Sequence, residues 1–341
     1  MARVLLVADE RFLDHDVGAG HPERPQRLGA VLDGVVAAGL EDDLVAAAPR
    51  LATIEELTAV HAPAQVELIE SVAARGGGHL DADTAVVPAS FESARLAAGA
   101  GLLAAERLRA GDADAAFLAV RPPGHHATPR HAMGFCLFNN VAVTAASLAA
   151  AGERVLVVDY DAHHGNGTQD AFWTDPRVLY VSMHQWPLYP GTGAMHELGE
   201  GEGLGSTVNF PFPPGTTGDA YLDVVDTVLA PVVERFGPTW LLLSAGFDAH
   251  RADPLTGLGL AAGDYVHLTR RLAAMVPAGR TVAFLEGGYD LDALTSSTTA
   301  CVTALAGADA HLPDTERPTS GGPGREVGLA VARVRERSGL D

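Results

Sequence analysis

Short apolar runs alternate with longer helix-like stretches along most of the chain. The runs have the length of strands, and we expect strands at 4–8 (VLLVA), 115–120 (AAFLAV), 155–161 (VLVVDYD), 178–184 (VLYVSMH), 239–246 (TWLLLSAG) and 281–288 (TVAFLEGG). Between and beside them we expect helices near 25–38, 63–74, 90–109, 139–151, 219–236, 263–276 and 291–306. Strands that are apolar throughout are typical of a sheet covered on both faces. The pattern therefore predicts an α/β fold with an open, mostly parallel β-sheet and helices on both faces.

No repeat of fixed period and no Ser/Gly linker divides the chain. We expect one domain over residues 1–341, with its core at about 1–308. The segment 309–324 is rich in proline and glycine, which predicts a surface loop. A last helix is expected over about 325–338.

Composition and charge narrow the classes of function. The chain has a net charge of −20, and all 23 of its basic residues are arginine. This acidity argues against nucleic-acid binding and is compatible with a cationic substrate, although a solvated acidic surface is the simpler interpretation. No apolar run approaches the roughly 20 residues of a membrane span. The first strand is too short for a signal peptide, and two cysteines are too few for a disulfide framework, so we expect a cytoplasmic protein.

Four polar clusters follow predicted strands. RPPGHHA follows the strand at 115–120, DAHHGNG the strand at 155–161, SAGFDAH the strand at 239–246, and EGGYD the strand at 281–288. In an open parallel sheet, the loops at the carboxyl ends of the strands share one edge, where ligands bind. The four clusters are therefore expected to form a single site.

The residue types in these clusters fit a metal hydrolase. Asp161 and His163 are two residues apart at a strand end, so their side chains point to the same side. With a further carboxylate, for which Asp248 is the candidate, they form a plausible oxygen and nitrogen ligand set for Zn²⁺ with a position left open for water. His125 and His126 can supply a general base and an electrostatic partner.

Three further residues can support this chemistry. Asp159 is placed to hold one histidine through its ring N–H, and Asn166 could hold the other. Tyr289 offers a neutral O–H donor suited to stabilising an oxyanion.

Taken together, the motifs resemble the histone deacetylase family. They are HPERPQR, RPPGHHA, GFCLFNN, VDYDAHHGNGTQ, SMHQWPLYPGTG, SAGFDAHRADPL and LEGGYD, in family order over roughly residues 15–305. GNG and LEGGY resemble the class II branch. The resemblance implies an arginase-like α/β fold, one catalytic zinc ion, a structural potassium ion and hydrolysis of an acetylated amine.

The resemblance also implies roles for particular residues. Asp161, His163 and Asp248 match the zinc ligands, whereas Asp253 matches a non-ligand position. His126 matches the general base, and His125 matches the second histidine, which is paired to Asp159. Asn166 stands where class I members have an aspartate, and Tyr289 matches the oxyanion donor.

Other positions match the substrate channel and the ion sites of the family. Gly134 and Phe135 match the channel wall, Tyr189 the opposing aromatic residue, and Leu255 an apolar residue near the channel floor; Asp83 could touch substrate at the rim. The potassium loop is matched by Asp159, Asp161, His163, Ser182 and Met183, largely through main-chain oxygens. Arg27 matches an arginine that lines an inner acetate channel.

Several functions remain open on the sequence alone. The leading one is a zinc-dependent deacetylase acting on acetyl-lysine side chains, and the second is an acetylpolyamine amidohydrolase. A two-manganese arginase-like hydrolase is disfavoured because it gives the tandem histidines and Tyr289 no role. A non-catalytic module that binds acetylated partners is disfavoured because the metal ligands and Tyr289 are all present. The sequence leaves a homo-oligomer open.

The remaining cysteine and histidine residues are expected to have structural or surface positions. Cys136 is expected to be a buried thiol. Surface or loop positions are expected for most of the other histidines, namely His15, His79, His131, His184, His196 and His311.

Overall fold

The computed structural model describes residues 1–340, in which an eight-stranded parallel sheet lies between layers of helices. The strands are β1 (Val4–Val7), β2 (Leu44–Ala47), β5 (Ala115–Leu118), β6 (Val155–Asp159), β7 (Val178–Gln185), β8 (Thr207–Phe212), β9 (Trp240–Ala245) and β10 (Thr281–Leu285). Two short strands, β3 (Gly78–His79) and β4 (Ala85–Val86), form a separate antiparallel pair. The α/β fold with a parallel sheet, predicted from the apolar runs, is confirmed.

The predicted helices are found close to their expected positions, and the short helices α2 and α6 were not predicted. They are α1 (Gln26–Ala37), α2 (Ile54–Thr58), α3 (Pro63–Ala74), α4 (Ser90–Arg109), α5 (Asn140–Ala150), α6 (Asn166–Ala171), α7 (Gly218–Val224), α8 (Ala230–Phe236), α9 (Ala262–Ala273), α10 (Leu291–Leu305) and α11 (Arg325–Arg337). The helix expected over 219–236 is interrupted by a π-helical turn at Val225–Leu229. Pro231 lies two residues after the end of this turn and has no backbone N–H to donate, which accounts for the break in the α-helical hydrogen bonding.

The strand order places the chemistry-bearing strands side by side. The order across the sheet is β2-β1-β5-β10-β9-β6-β7-β8, so β5, β10, β9 and β6 are the four central strands. Every residue of these four strands is buried. Helices α1, α9 and α10 pack together, and α4 packs against α5. The loops that follow the central strands therefore emerge next to one another.

Among residues 1–340, no helix is both long and apolar enough to cross a membrane.

Candidate active site

Hydrogen bonds from backbone N–H groups to carboxylates join the four polar loops into one site. The N–H of Gly124, after β5, donates to Oε2 of Glu286, after β10, at 2.6 Å. The carboxylate of Asp161, after β6, accepts from the N–H of Gly287, after β10, at 2.8 Å. The carboxylate of Asp248, after β9, accepts from the N–H of Ala162 at 2.7 Å. Each loop thus fixes a carboxylate of its neighbour, and the convergence expected from the sheet is present.

Asp161, His163 and Asp248 form a compact group of metal-binding atoms. The Nδ1 atom of His163 lies 2.8 Å from Oδ2 of Asp248 and 3.2 Å from Oδ1 of Asp161. Both carboxylates are fully buried. In each of them one oxygen is held by a backbone N–H and the other faces His163. A side chain at Gly287 would collide with both carboxylates, since its Cβ would lie 2.5 Å from Asp248 and 2.6 Å from Asp161.

The electrostatics of this group favour a cation. Burial alone would lower the pKa of His163, but the carboxylates of Asp248 and Asp161 outweigh burial and raise that pKa to about 10. Burial and the charge of Asp161 raise the pKa of Asp248 to about 7. Two buried carboxylates and one imidazole, with their ligand atoms within 4.8 Å of one another, fit a divalent ion such as Zn²⁺.

The tandem histidines lie beside this group, with their ring centroids 4.0 Å apart. The Nδ1 atom of His125 lies 3.0 Å from Oδ2 of Asp159. The Nδ1 atom of His126 lies 2.9 Å from Oδ1 of Asn166. These are the two pairings that the sequence suggested.

The two histidines differ in protonation. Burial opposes a charge on His125, but Asp161 and Asp159 outweigh burial and raise its pKa well above the usual value. Burial lowers the pKa of His126 well below the usual value, and the neighbouring His125 and His163 lower it further. His125 is therefore protonated near neutral pH, and His126 is a neutral imidazole that can accept a proton.

Tyr289 is held over the site by its backbone. Its N–H donates to Oδ2 of Asp253 at 2.7 Å, and Oδ1 of Asp253 accepts from the N–H of Leu255 at 2.9 Å. The guanidinium of Arg27 lies 5.0 Å from the centre of the Tyr289 ring. The Asp253 carboxylate is thus engaged by two backbone donors outside the metal group.

A cavity of about 260 Å³ opens onto these groups. It is lined by Asp83, His126, Gly134, Phe135, His163, Leu188, Tyr189, Leu255 and Tyr289. Leu255 was expected near the channel floor, but its side chain is 39% exposed, so it lies at the mouth instead. His126, which is buried, and His163, whose side chain is 12% exposed, form the deeper part.

The wall residue Phe135 has an unusual backbone. Its φ of 67° is the one positive value of a non-glycine residue within residues 1–340, and Gly134 before it has a φ of 56°. The N–H of Phe135 donates to Oγ1 of Thr84 at 3.1 Å, and the N–H of Gly134 donates to Oδ1 of Asp83 at 3.2 Å. Asp83 and Thr84 therefore hold this turn in a conformation that favours glycine.

The remaining predicted residues lie around the site. Ser182 and Met183 are buried in β7, where Ser182 is the register partner of Asp159. Arg27 is fully buried and donates to the carbonyl oxygens of Gly288, at 2.7 Å, and of Glu286.

Three buried charged residues were given no role on the basis of the sequence. Glu23 pairs with Arg27 at 3.0 Å and with Arg121 at 2.6 Å. Oε2 of Glu286 accepts from the N–H of Gly124 at 2.6 Å. All three residues belong to the quoted motifs: Glu23, Arg121 and Glu286. The sequence feature that could have indicated their burial is a charged residue next to a strand end or a proline turn.

His184 departs from its expected surface or loop position, and His15 lies in a loop as expected but is buried there. His15 is buried and its Nδ1 lies 2.8 Å from Oγ of Ser90. His184 is buried within β7, where its Nδ1 lies 2.9 Å from Oγ of Ser182. The partner of His184 is two residues away and that of His15 is 75 residues away, and no sequence period signals either partner. Cys136 is buried, as predicted, and exposed positions are found for His79, His131, His196 and His311.

Comparisons of sequence and of structure with known proteins identify the same family. The histone deacetylase domain matches residues 21–305. A probable deacetylase of Archaeoglobus fulgidus is 42% identical over 311 residues, which cover 89% of this chain and 86% of that protein. Histone deacetylase 5 of Arabidopsis thaliana is 39% identical over 323 residues, and the match spans 89% of this chain but only 49% of that protein. The crystal structure of the HDA15 HD domain superposes with a TM-score of 0.88 at 37% identity and covers 98% of this chain and 94% of that one.

Proposed function

Because this chain belongs to the histone deacetylase family, we propose that it is a zinc-dependent hydrolase that removes acetyl groups from acetyl-lysine side chains. Family membership supports a deacetylase. The lysine-like substrate and the zinc ion are the parts of this proposal that go beyond family membership. The observation that carries them is one cavity onto which the ligand His163, the neutral imidazole of His126 and the ring of Tyr289 all open.

The metal would be held by Asp161, His163 and Asp248. A bound Zn²⁺ supplies Lewis acidity, which polarises a carbonyl oxygen and lowers the pKa of water. Two anionic ligands neutralise much of the ion's charge, so a protein base is needed as well. A potassium ion near Asp159 and Ser182, bound largely by main-chain oxygens of the predicted potassium loop, is part of the same proposal.

The two histidines have different roles in proton transfer: His126 accepts a proton and His125 donates one. His126 is neutral, and its Nδ1 faces an oxygen of Asn166, so its Nε2 is free to accept a proton from water. His125 keeps its proton because Asp159 accepts from its Nδ1. A pair of groups whose pKa values are pushed apart in this way suits a base and an acid acting in one reaction.

The cavity walls select the substrate. The hydroxyl of Tyr289 donates to the oxygen on which negative charge develops. Phe135 and Tyr189 line the passage and would contact the methylene stem of a lysine-like amine. Four methylenes at about 0.8 kcal/mol each contribute about 3 kcal/mol of apolar binding.

Metal content and turnover of a fluorogenic acetyl-lysine peptide test this proposal together. Asp248→Ala, and the isosteric Asp248→Asn, should lose the metal and the activity. Asp253→Asn is the matched control, because that carboxylate contacts backbone N–H groups rather than His163. It should retain the metal. Full metal content in both Asp248 variants would overturn the ligand assignment, and an absence of turnover by the metal-loaded wild type would overturn the function.

A further inference from the structure

A second group of metal-binding side chains lies next to the tandem histidines. His125, Cys136 and Glu286 each offer one ligand atom, and these three atoms lie within 4.8 Å of one another. All three residues are buried, with Cys136 and Glu286 fully so. None of them belongs to the group of Asp161, His163 and Asp248.

Glu286 has one carboxylate oxygen to spare. Its Oε2 accepts from the N–H groups of Gly124, at 2.6 Å, and His125, at 3.1 Å. Its Oε1 is buried and has no hydrogen-bond partner within residues 1–340. A buried carboxylate oxygen without a partner costs free energy, which a bound cation would recover.

The other two side chains also have an atom available. The Sγ atom of Cys136 contacts the carbonyl oxygen of Gly134 at 3.2 Å as a weak donor, which leaves its sulfur lone pairs open. The Nδ1 atom of His125 is engaged by Asp159, so Nε2 is the ring nitrogen that can bind an ion. Burial, with the negative charge of Glu286, raises the pKa of Cys136 well above its usual value, so the free site holds a thiol.

We propose that His125, Cys136 and Glu286 form a second, inhibitory site for a thiophilic divalent cation such as Cd²⁺ or excess Zn²⁺. A sulfur, a nitrogen and an oxygen ligand suit these ions, whereas Mg²⁺ and Ca²⁺ prefer oxygen alone. Ligand atoms around a tetrahedral Zn²⁺ are roughly 3.3–3.6 Å apart, and the three ligand atoms here, within 4.8 Å of one another, approach that spacing. Binding replaces the S–H bond of Cys136 and the Nε2–H bond of the protonated His125 with bonds to the metal, and both protons, with any proton on Glu286, are released to solvent.

The inhibitory effect rests on the proposed function, because it depends on His125 taking part in catalysis. An ion on Nε2 of His125, a nitrogen that lies 3.9 Å from Oδ1 of Asp161, removes that nitrogen from proton transfer. Excess zinc should therefore lower kcat while the catalytic metal stays bound.

Titration of the zinc-loaded protein with Cd²⁺ tests the site directly. A cadmium–thiolate bond has a charge-transfer absorption in the ultraviolet, and we expect it to saturate at one equivalent. Cys136→Ser should abolish the band. Cys301→Ser is the matched control, because Cys301 is equally buried but contacts only the hydroxyls of Tyr160 and Thr269 among the hydrogen-bonding groups of residues 1–340. That variant should keep the band.

Further variants separate the site from the proposed function. Glu286→Gln, which retains an acceptor for the two N–H groups, should weaken Cd²⁺ binding by about tenfold or more, the loss that even an outer-shell change can cause. Asp248→Asn should keep the band although it loses the catalytic metal. Inhibition by excess zinc, relative to each variant's own zinc-limited rate, should disappear in Cys136→Ser; Cys136→Ala repeats the test if the serine variant does not fold.

The outcomes are distinct. An active enzyme without a Cys136-dependent band, or a band lost in Cys301→Ser instead, overturns the second site. A Cys136-dependent band in a protein that never turns over acetyl-lysine leaves the site standing and overturns the deacetylase proposal.

Discussion

The Nδ1 atom of His126 lies 2.9 Å from the Oδ1 atom of Asn166. An amide oxygen only accepts, so Nδ1 of His126 must carry the hydrogen and Nε2 must carry the lone pair. The uncharged partner brings no negative charge to the ring, whose pKa is lowered chiefly by burial. This one contact therefore sets the tautomer of the proposed base, and burial keeps its ring neutral.

Asn166→Asp should move the pH dependence of the reaction. As pH falls through the pKa of an essential base, kcat/KM declines, and in the wild type this decline comes well below the usual histidine range because burial lowers the pKa of His126. A carboxylate at position 166 stabilises the protonated ring and raises that pKa. The acid limb of the kcat/KM profile should then shift to higher pH. Asn166→Leu, which adds no charge, should reduce the rate without that shift, and an unmoved limb in Asn166→Asp would contradict the assignment of His126.

Tyr289→Phe should reduce kcat by about 10²–10³, the usual effect of removing one oxyanion donor. The ring remains between Arg27 and Phe135, and the backbone bond to Asp253 remains as well. Metal content and KM should therefore stay close to the wild-type values. Steady-state kinetics and metal analysis check this, and near wild-type turnover would show that the hydroxyl is not the donor.

Thr84→Val should loosen the channel wall. The hydroxyl of Thr84 accepts from the N–H of Phe135, whose left-handed backbone is costly for a side chain. Losing that acceptor should lower the free energy of unfolding by about 1–3 kcal/mol and raise KM more than it lowers kcat. Thr84→Ser keeps the hydroxyl and should behave like the wild type. Equal melting temperatures and KM values for the two variants would argue against this support.

Leu255→Glu should shift substrate preference toward acetylated polyamines. Leu255 lies at the mouth of the cavity, where the second ammonium of a polyamine would meet an apolar side chain and lose water without gaining a partner. We therefore expect the wild type to have a higher kcat/KM for acetyl-lysine peptides than for acetylspermidine or acetylputrescine. Leu255→Gln, equal in size to the glutamate but uncharged, should leave the ratio nearly unchanged. A preference of the wild type for acetylpolyamines would show that residues of the entrance other than Leu255 determine substrate selectivity.

The central strands could be predicted from sequence because each is a continuous apolar run, whereas the edge strands could not. β2 is a short strand of half-exposed and exposed residues at one edge. β8 contains Pro211, a residue that is tolerated at a sheet edge but argues against a strand in the sequence. β2 lacks the double-sided burial that gives the central strands their pattern, whereas β8 is almost wholly buried and its proline is what obscures it in the sequence.

The site was predictable where a residue type itself signals chemistry. Paired histidines and acids at strand ends could be recognised, but Glu286 could not, because its partner Gly124 is 162 residues away. The pairing of Arg121 with Glu23 spans 98 residues in the same way. The position of Leu255 along the depth of the cavity could not be predicted from the sequence either, because exposure depends on how neighbouring loops fold over a side chain.

The site lies at the ends of β5, β10, β9 and β6. It therefore stays intact as long as these four central strands remain paired. Local opening of a folded protein begins at poorly protected edges and termini, and the central strands open only with the whole domain. Fraying of β2 or β8 would expose backbone amides to exchange while leaving the strands that carry the tandem histidines and the three candidate metal ligands paired. We therefore expect the edges to open without loss of the site, and we expect the slowest-exchanging amides to be those of the four central strands.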